Sequence, residues 1–578
     1  MALKSDFERR LRSGFAALWI LVGPMACSPA PEGPEKAAAG PDEVRRALKQ
    51  AVEFFRTRVS NSGGYHFRYA TDLSYGRSEA AYGPTQVTVQ TSGTPLVGMA
   101  YLRTYEATAD PYYLEAARET AQLLVRGQHC SGGWDYIIEL DPERRRSYPY
   151  RVDGHCAERP DSVPEDSSPG SRAASTLDDN VTQGALRLLM RVDRELEFRD
   201  AEIHEASLFA LDQLARAQYP NGAWPQRFRD VSDSGLPAAR SAAYPDSWPR
   251  EWPGPDYRHH YTLNDNAILD VIDTFLEAAR IYGEPRYREV AAKGGDFLLL
   301  AQMPDPQPAW AQQYDSRMHP AWGRIFEPPS VTGSESQAVL QMLLVLYRET
   351  GLKKYLEPLP RAIEYLRKSD LPADGPWRQE GGRCGPGALC LARFYELGTN
   401  RPLFITKGSR IRLETGPSRL LDGYELSYSP ESVIRHYGLW TDGSRLEQAE
   451  QEYRSLLSQD PAAIRRPERL QGLSPWRGET RYPSGPELAR LAGSLVRSLD
   501  PRGAWVEEGS VGKADPVVFL FAAEDMVVTI DNRTIPLNEN GRLTVFRGDK
   551  PPLERILSSR TFARNIETLA AYLSETGQ

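Results

Sequence analysis

The triplet Gly132-Gly133-Trp134 is one copy of a turn that recurs along the chain, in which small residues precede an aromatic residue. The other copies are Gly63-Gly64-Tyr65, Gly222-Ala223-Trp224, Pro308-Ala309-Trp310, Gly375-Pro376-Trp377 and Gly503-Ala504-Trp505. Successive aromatic residues lie 67 to 90 positions apart, with one larger gap before Trp505. Six turns at such intervals predict a repeated structural unit.

Most of these turns follow two stretches in which apolar residues recur at helical spacing. The stretches are Val97–Ala107, Tyr112–Arg126, Ala185–Leu196, Ile203–Ala217, Ala267–Tyr282, Tyr287–Ala301, Ala338–Glu349 and Leu356–Lys368. Repeated helix hairpins close into a ring or stack into a solenoid, and six turns favour the ring. We therefore expect a mostly α fold, an α/α toroid; the alternative is an irregular helical domain with chance Gly-aromatic turns.

The end of the chain departs from this pattern. Short apolar and β-branched runs at Val517–Phe521, Met526–Ile530 and Arg542–Phe546, separated by turn residues, predict a small antiparallel sheet. An amphipathic stretch, Thr561–Leu573, predicts a final helix. We expect residues 44–510 to form the toroid, as the domain that would carry any catalytic site, and residues 511–578 to form a small β-rich segment with the last helix.

The amino terminus has the pattern of an export signal. Basic residues from Lys4 to Arg12 precede the apolar run Gly14–Ala26, which is too short for a comfortable membrane span. Cys27 follows in a loose match to the site at which bacterial lipoproteins are cleaved and lipidated. We expect residues 1–27 to be a signal, residues 28–43 a flexible tether, and the protein to be periplasmic, an outer-membrane lipoprotein or secreted. Simple secretion and an uncleaved anchor are the alternatives.

Charge and cysteine content narrow the function classes. The 578 residues carry a formal net charge of −8 and no long basic tract, which disfavours nucleic-acid binding. Besides Cys27 there are four cysteines, an even number that permits two disulfides in an exported protein; the short-range pairs are Cys130–Cys156 and Cys384–Cys390. We expect a monomer.

Acidic and amide residues cluster where two of the predicted helices begin. One cluster reads Leu177-Asp178-Asp179-Asn180-Val181-Thr182 and the other Thr262-Leu263-Asn264-Asp265-Asn266-Ala267. Such residues are good helix N-caps, which is the simpler interpretation. In a toroid, however, equivalent repeat ends share one face, so carboxylates from two repeats would converge. They could then bind Ca²⁺ or perform acid/base glycoside hydrolysis, and sequence spacing does not separate these.

Four stretches in order resemble the pectate lyases of polysaccharide lyase family ten. They are Gln218–Gln226 (Gln-Tyr-Pro-Asn-Gly-Ala-Trp-Pro-Gln), Asn264–Ala267, Trp322–Ser336, and Ala392–Glu396 together with Asn400–Phe404. With the Asp178 cluster ahead of them, the resemblance extends from Asp178 to Phe404, a little under half of the chain.

The resemblance implies an α/α toroid that cleaves polygalacturonate, or a related uronic-acid polymer, by Ca²⁺-assisted β-elimination. By resemblance, Asp178 and Asp265 hold Ca²⁺ and the substrate carboxylate, Arg324 is the base, and Arg393 binds substrate. An arginine base is chemically demanding because guanidinium is normally protonated. The developing negative charge requires cations around it, which suits such a site.

Two tryptophans, Trp322 and Trp224, are expected to bind substrate because their flat rings suit sugars. Some residues depart from the family pattern: Gly222-Ala223-Trp224 replaces Gly-Gly-Trp, and the adjacent acids leave the choice between Asp178 and Asp179 open. Residues 229–259 stand where a shorter connection is expected, which predicts an altered rim. The expected basic segment after Phe404 is represented only loosely, by Lys407, Arg410 and Arg419.

Two other functions compete with the lyase hypothesis. One is a toroidal glycoside hydrolase in which Asp178 or Asp179 pairs with Asp265 as acid and base. The other is a non-catalytic glycan-binding surface lipoprotein, in which Trp-rich loops bind sugar and the acids only cap helices.

Overall fold

The computed structural model describes most of the chain after the amino-terminal segment. The described residues are 39–79, 83–154, 156, 174–229, 239–253, 257–324, 326–375, 377, 384–385, 387–407, 424–430, 440–465, 472–478, 480–511, 517–520, 527–530, 533–536, 542–545 and 553–577. The predicted signal with Cys27, most of the tether, part of the 229–259 rim, and Arg410 and Arg419 lie outside these ranges.

Helices dominate the architecture, and most of them form hairpins. They are α1 (Pro41–Phe54), α2 (Thr94–Thr108), α3 (Pro111–Arg126), α4 (Pro142–Arg145), α5 (Val181–Glu195), α6 (Ala201–Arg216), α7 (Ala267–Tyr282), α8 (Pro285–Leu300), α9 (Gly333–Thr350), α10 (Leu359–Lys368), α11 (Ser444–Leu457), α12 (Pro461–Ile464), α13 (Gly485–Ser498) and α14 (Ser559–Glu575). The predicted helical stretches are confirmed. Helices α1, α11 and α13 and the short helices α4 and α12 were not predicted.

The helices are arranged as an α/α toroid, as predicted. An inner row follows the order α14, α2, α5, α7, α9 and α11, in which each helix contacts the next. Outer helices pair with this row, α3 with α2, α6 with α5, α8 with α7 and α10 with α9. Inner helices such as α5 and α7 are buried nearly all round, whereas the outer α6 buries only one face, as the two layers require.

The recurrent turns join the repeats. Gly63, Gly132, Gly222 and Gly503 all have φ between +91° and +94°, where glycine is favoured. A Cβ on Gly222 would lie 2.0 Å from the Lys293 carbonyl oxygen of α8, so only glycine allows this contact with the next outer helix. A Cβ on Gly63 or Gly503 would likewise lie 2.7 or 2.6 Å from a carbonyl oxygen of α3 or α1, and one on Gly132 would lie 2.5 Å from the Gln213 side chain of α6. The repeat therefore reflects a shared packing contact.

Short strands precede the inner helices and pair with strands that follow the recurrent turns. They are β1 (Arg68–Ala70), β2 (Gly76–Arg77), β3 (Gln86–Thr88), β4 (Ile137–Glu139), β5 (Ser175–Thr176), β6 (Arg227–Phe228), β7 (Tyr261–Thr262), β8 (Gln313–Tyr314), β9 (Val331–Thr332), β10 (Cys390–Ala392), β11 (Phe394–Tyr395), β12 (Pro402–Lys407), β13 (Tyr424–Ser427) and β14 (Trp440–Asp442). The antiparallel pairs β3–β4, β5–β6 and β7–β8 repeat one arrangement, and β9 joins a four-stranded sheet ordered β13-β12-β11-β9.

The predicted carboxyl-terminal sheet is present as short antiparallel pairs. The remaining strands are β15 (Glu507–Gly509), β16 (Val517–Leu520), β17 (Val527–Ile530), β18 (Arg533–Pro536), β19 (Arg542–Val545) and β20 (Glu554–Ser558). Strand β16 pairs with β19 and β17 with β18, while β20 pairs with β1 and β15. The final helix α14 belongs to the inner row, where it packs against α2, and it also contacts α1. Helices from the beginning and from the end of the described chain therefore both contribute to the ring. The domain limits stay predictions.

A buried ionic network joins the segment 472–478 to helix α7. Arg477 donates through Nε and Nη2 to the two carboxylate oxygens of Asp270, both at 2.6 Å. Ser474 Oγ donates to Asp273, and Arg187 of α5 lies 2.8 Å from the same carboxylate. Asp270 and Asp273 are fully buried, so these contacts compensate charges removed from water.

Both short-range disulfides are present, joining Cys130 to Cys156 and Cys384 to Cys390. Among the described residues, we find no helix with the length and apolar character needed to cross a membrane. A small second core of Phe394, Leu403 and Ile405 lies on the four-stranded sheet, separate from the main core.

Candidate active site

Two turns with the same backbone open helices α5 and α7. Asp179 and Asn180 have φ of 50° and 57°, and Asp265 and Asn266 have 50° and 62°. Before them, the Leu177 and Leu263 amides donate to backbone carbonyls of the adjacent turns, both at 2.8 Å. Asn180 and Asn266, the N-cap residues, make no side-chain capping bond. N-capping therefore does not account for these polar clusters.

The two turns bring three carboxylates together. One oxygen each of Asp178, Asp179 and Asp265 lies within 4.8 Å of the other two. Burial, followed by the nearby Asp178 charge, raises the pKa of Asp179 to about 7 and that of Asp265 to about 6. Such crowding of like charges favours binding of either protons or a cation.

The first turn has partners from the part of the chain before the resemblance begins. Tyr136 Oη donates to Asp178 Oδ2 at 2.6 Å, and burial together with Asp178 raises the pKa of Tyr136, which keeps it protonated. Gln90 Nε2 donates to Asp179 Oδ2 at 2.9 Å and to Glu79 at 2.8 Å. Residues of the first repeat thus orient both acids.

Asn264 links the second turn to the arginines. Its Nδ2 lies 2.9 Å from Asp265 Oδ2 and 3.3 Å from Glu327 Oε1, and donates to both. Its Oδ1 accepts from Arg393 Nη2 at 3.2 Å. Arg393 also lies 3.6 Å from the buried Glu335 carboxylate. The amide therefore holds an acid and a cation on opposite sides.

Arg324 lies at the same end, on a tight turn closed by Glu327. Its Nε and Nη2 donate to Glu327 Oε1 at 2.9 and 2.6 Å, and its backbone amide donates to Oε2 at 2.6 Å. Arg324 Nη2 also lies 3.9 Å from Asp265 Oδ2. About 40% of the Arg324 side chain remains exposed, so a ligand can reach it. The Glu327 contact favours the charged guanidinium.

The structure corrects the prediction for Trp224. Its ring has no exposed surface, stacks on Phe275, and donates its indole N–H to the Leu214 carbonyl at 2.8 Å. A fully buried ring does not contact a polysaccharide, so the assignment as substrate-binding is wrong. Trp322 is only 6% exposed and donates to the Pro249 carbonyl, which gives it a packing role as well.

The donor set suits a hard divalent cation. Calcium binds oxygen ligands at about 2.3–2.6 Å, so ligands on opposite sides of the ion are about 5 Å apart. The three carboxylates of Asp178, Asp179 and Asp265 meet that limit. Both Asp178 and Asp179 reach the cluster, so the geometry does not require a choice between them.

Some site residues were predicted only as alternatives, as Asp179 was to Asp178, and others had no predicted role. Asp179 is the structural counterpart of Asp265, which aligning Leu-Asp-Asp-Asn with Leu-Asn-Asp-Asn would have indicated. Glu327 stood in a quoted stretch, three residues after Arg324, a spacing that allows an ion pair. Tyr136 and Gln90 had no such signal, because their proximity depends on how repeats pack.

Comparison with known proteins identifies the central part of the chain. Residues 155–416 match the family model described as pectic acid lyase. No curated protein matches the chain. Similar solved structures include a family 10 polysaccharide lyase from Cellvibrio cellulosa, at 19% identity, covering 58% of this chain and 91% of that one with a TM-score of 0.37.

An aspartate-to-alanine mutant of the Cellvibrio cellulosa lyase, in complex with trigalacturonic acid, is 18% identical, with 58% and 92% coverage and a TM-score of 0.37. A GH76 α-mannanase from Bacteroides thetaiotaomicron is 8% identical and covers 93% of this chain and 96% of its own, with a TM-score of 0.36. The family-model match confirms the resemblance seen in the four sequence stretches, and such a domain implies polysaccharide lyase activity. The part of the chain from residue 155 to residue 416 is therefore similar to a pectic acid lyase domain, the domain of polysaccharide lyase family ten.

Proposed function

We propose that the protein cleaves polygalacturonate, or a related uronic-acid polymer, by β-elimination with the help of a bound divalent cation, Ca²⁺. The observation that carries the proposal is the group of three carboxylates at the helix starts, with Arg324 and Arg393 bordering it. A site with acids on one side and arginines on the other matches a polyanionic substrate that is bound partly through a cation.

β-Elimination removes the proton on the carbon next to the uronate carboxylate. The resulting electron pair forms a carbon–carbon double bond, the carbon–oxygen bond to the leaving sugar breaks, and that oxygen takes a proton. Negative charge builds on the uronate carboxylate during proton removal, so positive charge near this group lowers the barrier. A bound cation would supply part of that charge.

Different residues of the site would have different roles in the reaction. Asp178, Asp179 and Asp265 would hold the cation. Arg393, oriented by Asn264, is placed to bind a substrate carboxylate. Arg324 in its charged form stabilises the developing negative charge. Proton removal by Arg324 stays a prediction, since it requires the guanidinium to lose a proton beside Glu327.

The alternative functions find less support. The match to a pectic acid lyase model favours elimination over glycoside hydrolysis. The glycan-binding hypothesis depended on tryptophan rings facing sugar, but Trp224 and Trp322 are buried.

We also propose that the protein is exported. Two disulfides are typical of oxidising compartments, and both are in the described part of the chain. Attachment through a lipid on Cys27 and a monomeric state stay predictions.

The test is the ultraviolet absorbance of unsaturated product, followed over time with polygalacturonate and Ca²⁺, then with chelator. We expect a rise that chelator abolishes and added Ca²⁺ restores. Release of reducing ends without absorbance would indicate hydrolysis and contradict the proposal.

Substitution of Arg324 separates catalysis from binding. We expect Arg324→Ala to lower kcat by about 10³-fold, because it removes charge stabilisation made at the reacting group. Arg286→Ala is the matched control, since Arg286 is a half-exposed surface arginine paired with Asp212. Loss of affinity with unchanged kcat in Arg324→Ala would instead favour a binding role.

A further inference from the structure

Residues 248–252 read Trp-Pro-Arg-Glu-Trp and belong to the stretch in which the resemblance implies a shorter connection. In the structure, this segment lies against residues 321–330, which carry Arg324. Three indole rings make the contact, those of Trp248, Trp252 and Trp322, and we name them the tryptophan clamp. Each donates its indole N–H to a backbone carbonyl of the opposite segment.

The bonds run in both directions. Trp252 Nε1 donates to the Gly323 carbonyl at 2.9 Å, directly before Arg324, and Trp248 Nε1 donates to the Pro329 carbonyl at 2.8 Å. Trp322 returns a bond of 2.7 Å to the Pro249 carbonyl. The clamp therefore fixes the Arg324 turn on both sides.

Gly323 connects the tryptophan clamp to Arg324, because its carbonyl accepts from Trp252 and the arginine is the next residue. Its amide donates to the Glu327 carbonyl at 3.1 Å, and a Cβ on Gly323 would lie 2.4 Å from Glu327 Oε2. Glu327 Oε2 in turn accepts from the Arg324 amide, so Gly323 packs directly against the carboxylate that holds Arg324. A change at the Gly323 carbonyl would therefore move Arg324 and Glu327 together.

The small core formed by Phe394, Leu403 and Ile405 also contacts the Arg324 turn. Trp248 and Phe326 pack against Phe394 and its neighbours on the four-stranded sheet. The Arg324 guanidinium carbon lies 5.0 Å from the centre of the Phe326 ring. The clamp thus seats the turn on this core.

The 239–253 segment is itself anchored away from the turn. The Ala242 amide donates to the Leu300 carbonyl of α8 at 2.7 Å. Arg250 stacks over Trp248, and its Nη2 donates to the buried Glu396 carboxylate at 2.6 Å. With anchors on α8 and beside β11, the segment can hold the Arg324 turn in one place.

We propose that the tryptophan clamp is a positioning device that holds Arg324 in the geometry the elimination reaction needs. The clamp residues are positioning residues, because their N–H groups are bound to backbone carbonyls. The proposal rests on the proposed function, and it assigns this role to Trp248 and Trp252, which lie outside the stretches that carry the family resemblance, together with Trp322, which lies within one of them.

The test uses Trp252→Phe and the double variant Trp248→Phe/Trp252→Phe in the full chain, since phenylalanine keeps a ring but removes the N–H. We expect kcat to fall about fivefold to tenfold in the single variant and about 100-fold in the double variant. KM should stay within about twofold, because Asp265, Asn264 and Arg393 are untouched.

Trp505→Phe is the matched control. Trp505 donates the same kind of bond, 2.9 Å to the Leu495 carbonyl, in the sixth recurrent turn. We expect it to lower Tm while leaving kcat unchanged. Unchanged kcat in both clamp variants, with a fall in Tm like that of the control, would overturn the positioning role.

Hydrogen–deuterium exchange tests whether the clamp restrains the Arg324 turn, and it does so without relying on catalytic activity. If the wild-type protein shows no elimination, the proposed function fails by itself. Faster amide exchange in residues 321–330 of the double variant, but not of Trp505→Phe, then still supports the clamp as a restraint on the Arg324 turn. Exchange equal to wild type in that peptide overturns it.

Discussion

The turns at residues 177–180 and 263–266 have the same backbone and different partners. Both place an aspartate and an asparagine in succession in the left-handed region, at Asp179-Asn180 and Asp265-Asn266. The residue before each pair differs, Asp178 in the first turn and Asn264 in the second. Asp178 accepts from Tyr136, whereas Asn264 contacts Asp265, Glu327 and Arg393.

This difference between a carboxylate and an amide gives the two turns different chemical roles in the site. A carboxylate at 178 adds negative charge on the side where a cation would bind. An amide at 264 can donate and accept at once, so it joins an acid to an arginine without adding charge. The repeat supplies the backbone, and a single Asp/Asn difference supplies the chemical asymmetry.

The largest effect is expected at the central aspartates, the position that the two turns share. Asp179→Asn and Asp265→Asn should each lower kcat/KM on the order of 10³-fold, because each removes one of three carboxylates around the proposed cation. Steady-state rates across a Ca²⁺ titration measure this. Asp212→Asn, at a half-exposed surface aspartate, is the control. Full activity in Asp179→Asn would show that the two turns are not functionally equivalent.

An intermediate effect is expected from exchanging the residues that differ. Asn264→Asp removes the donor to Asp265 and Glu327 and should lower kcat/KM about 100-fold. Asp178→Asn should weaken Ca²⁺ affinity about tenfold, with much of kcat recovered at high Ca²⁺.

The double exchange should not restore activity, because Tyr136 donates to Asp178 of the first turn, whereas Glu327 accepts from Asn264 of the second. Recovery of activity in the double variant would contradict the division of roles. Calorimetric Ca²⁺ titration of all three variants checks whether affinity or turnover has changed.

The smallest effect concerns stability and pH. The pKa of Asp179 and Asp265 in the folded protein, about 7 and about 6, lies above the ordinary value of 3.8. The folded state therefore binds more protons than the unfolded state between those pH values, and stability falls as pH rises through this window. With chelator, Tm should be a few degrees lower at pH 8 than at pH 5, because both carboxyls lose their protons in the folded state across this range.

Two comparisons isolate the carboxylates in that measurement. Added Ca²⁺ should raise Tm at pH 8 more than at pH 5, and Asp179→Asn should reduce the pH-dependent fall in chelator. Thermal unfolding of both proteins at each pH provides the numbers. A pH dependence identical in wild type and Asp179→Asn would show that the carboxylates are not the source.

Much of the ring could be predicted because the inner and outer helices keep strong apolar periodicity. Helix α11 was missed since it buries few residues, Leu446, Ala449 and Leu456, which give a weak pattern. The complete burial of Trp224 could not be predicted from the sequence either. An indole can satisfy its N–H on a backbone carbonyl, as Trp224 does, and then fill the core.

The acids of the site were predicted because a toroid gathers equivalent repeat ends, and Asp178 and Asp265 lie together as expected. The contacts of Tyr136 and Gln90 could not be predicted, because they depend on the packing of the first repeat against the second. The clamp escaped prediction for a related reason: a tryptophan-rich segment indicates a rim, but not which carbonyls its indoles reach.

The ionic network around Asp270 sets a limit on how this enzyme can be divided for engineering. Asp270 lies in α7, just after the turn that carries Asp265, and it is paired with Arg477, far beyond the matched region 155–416. A fragment cut at residue 416 would leave that buried carboxylate without its bidentate partner, at a cost of about 3 kcal/mol. Homology outlines the domain, but a portable catalyst also needs the segment 472–478, the amino-terminal repeat that carries Gln90, and helix α14, which packs against α2.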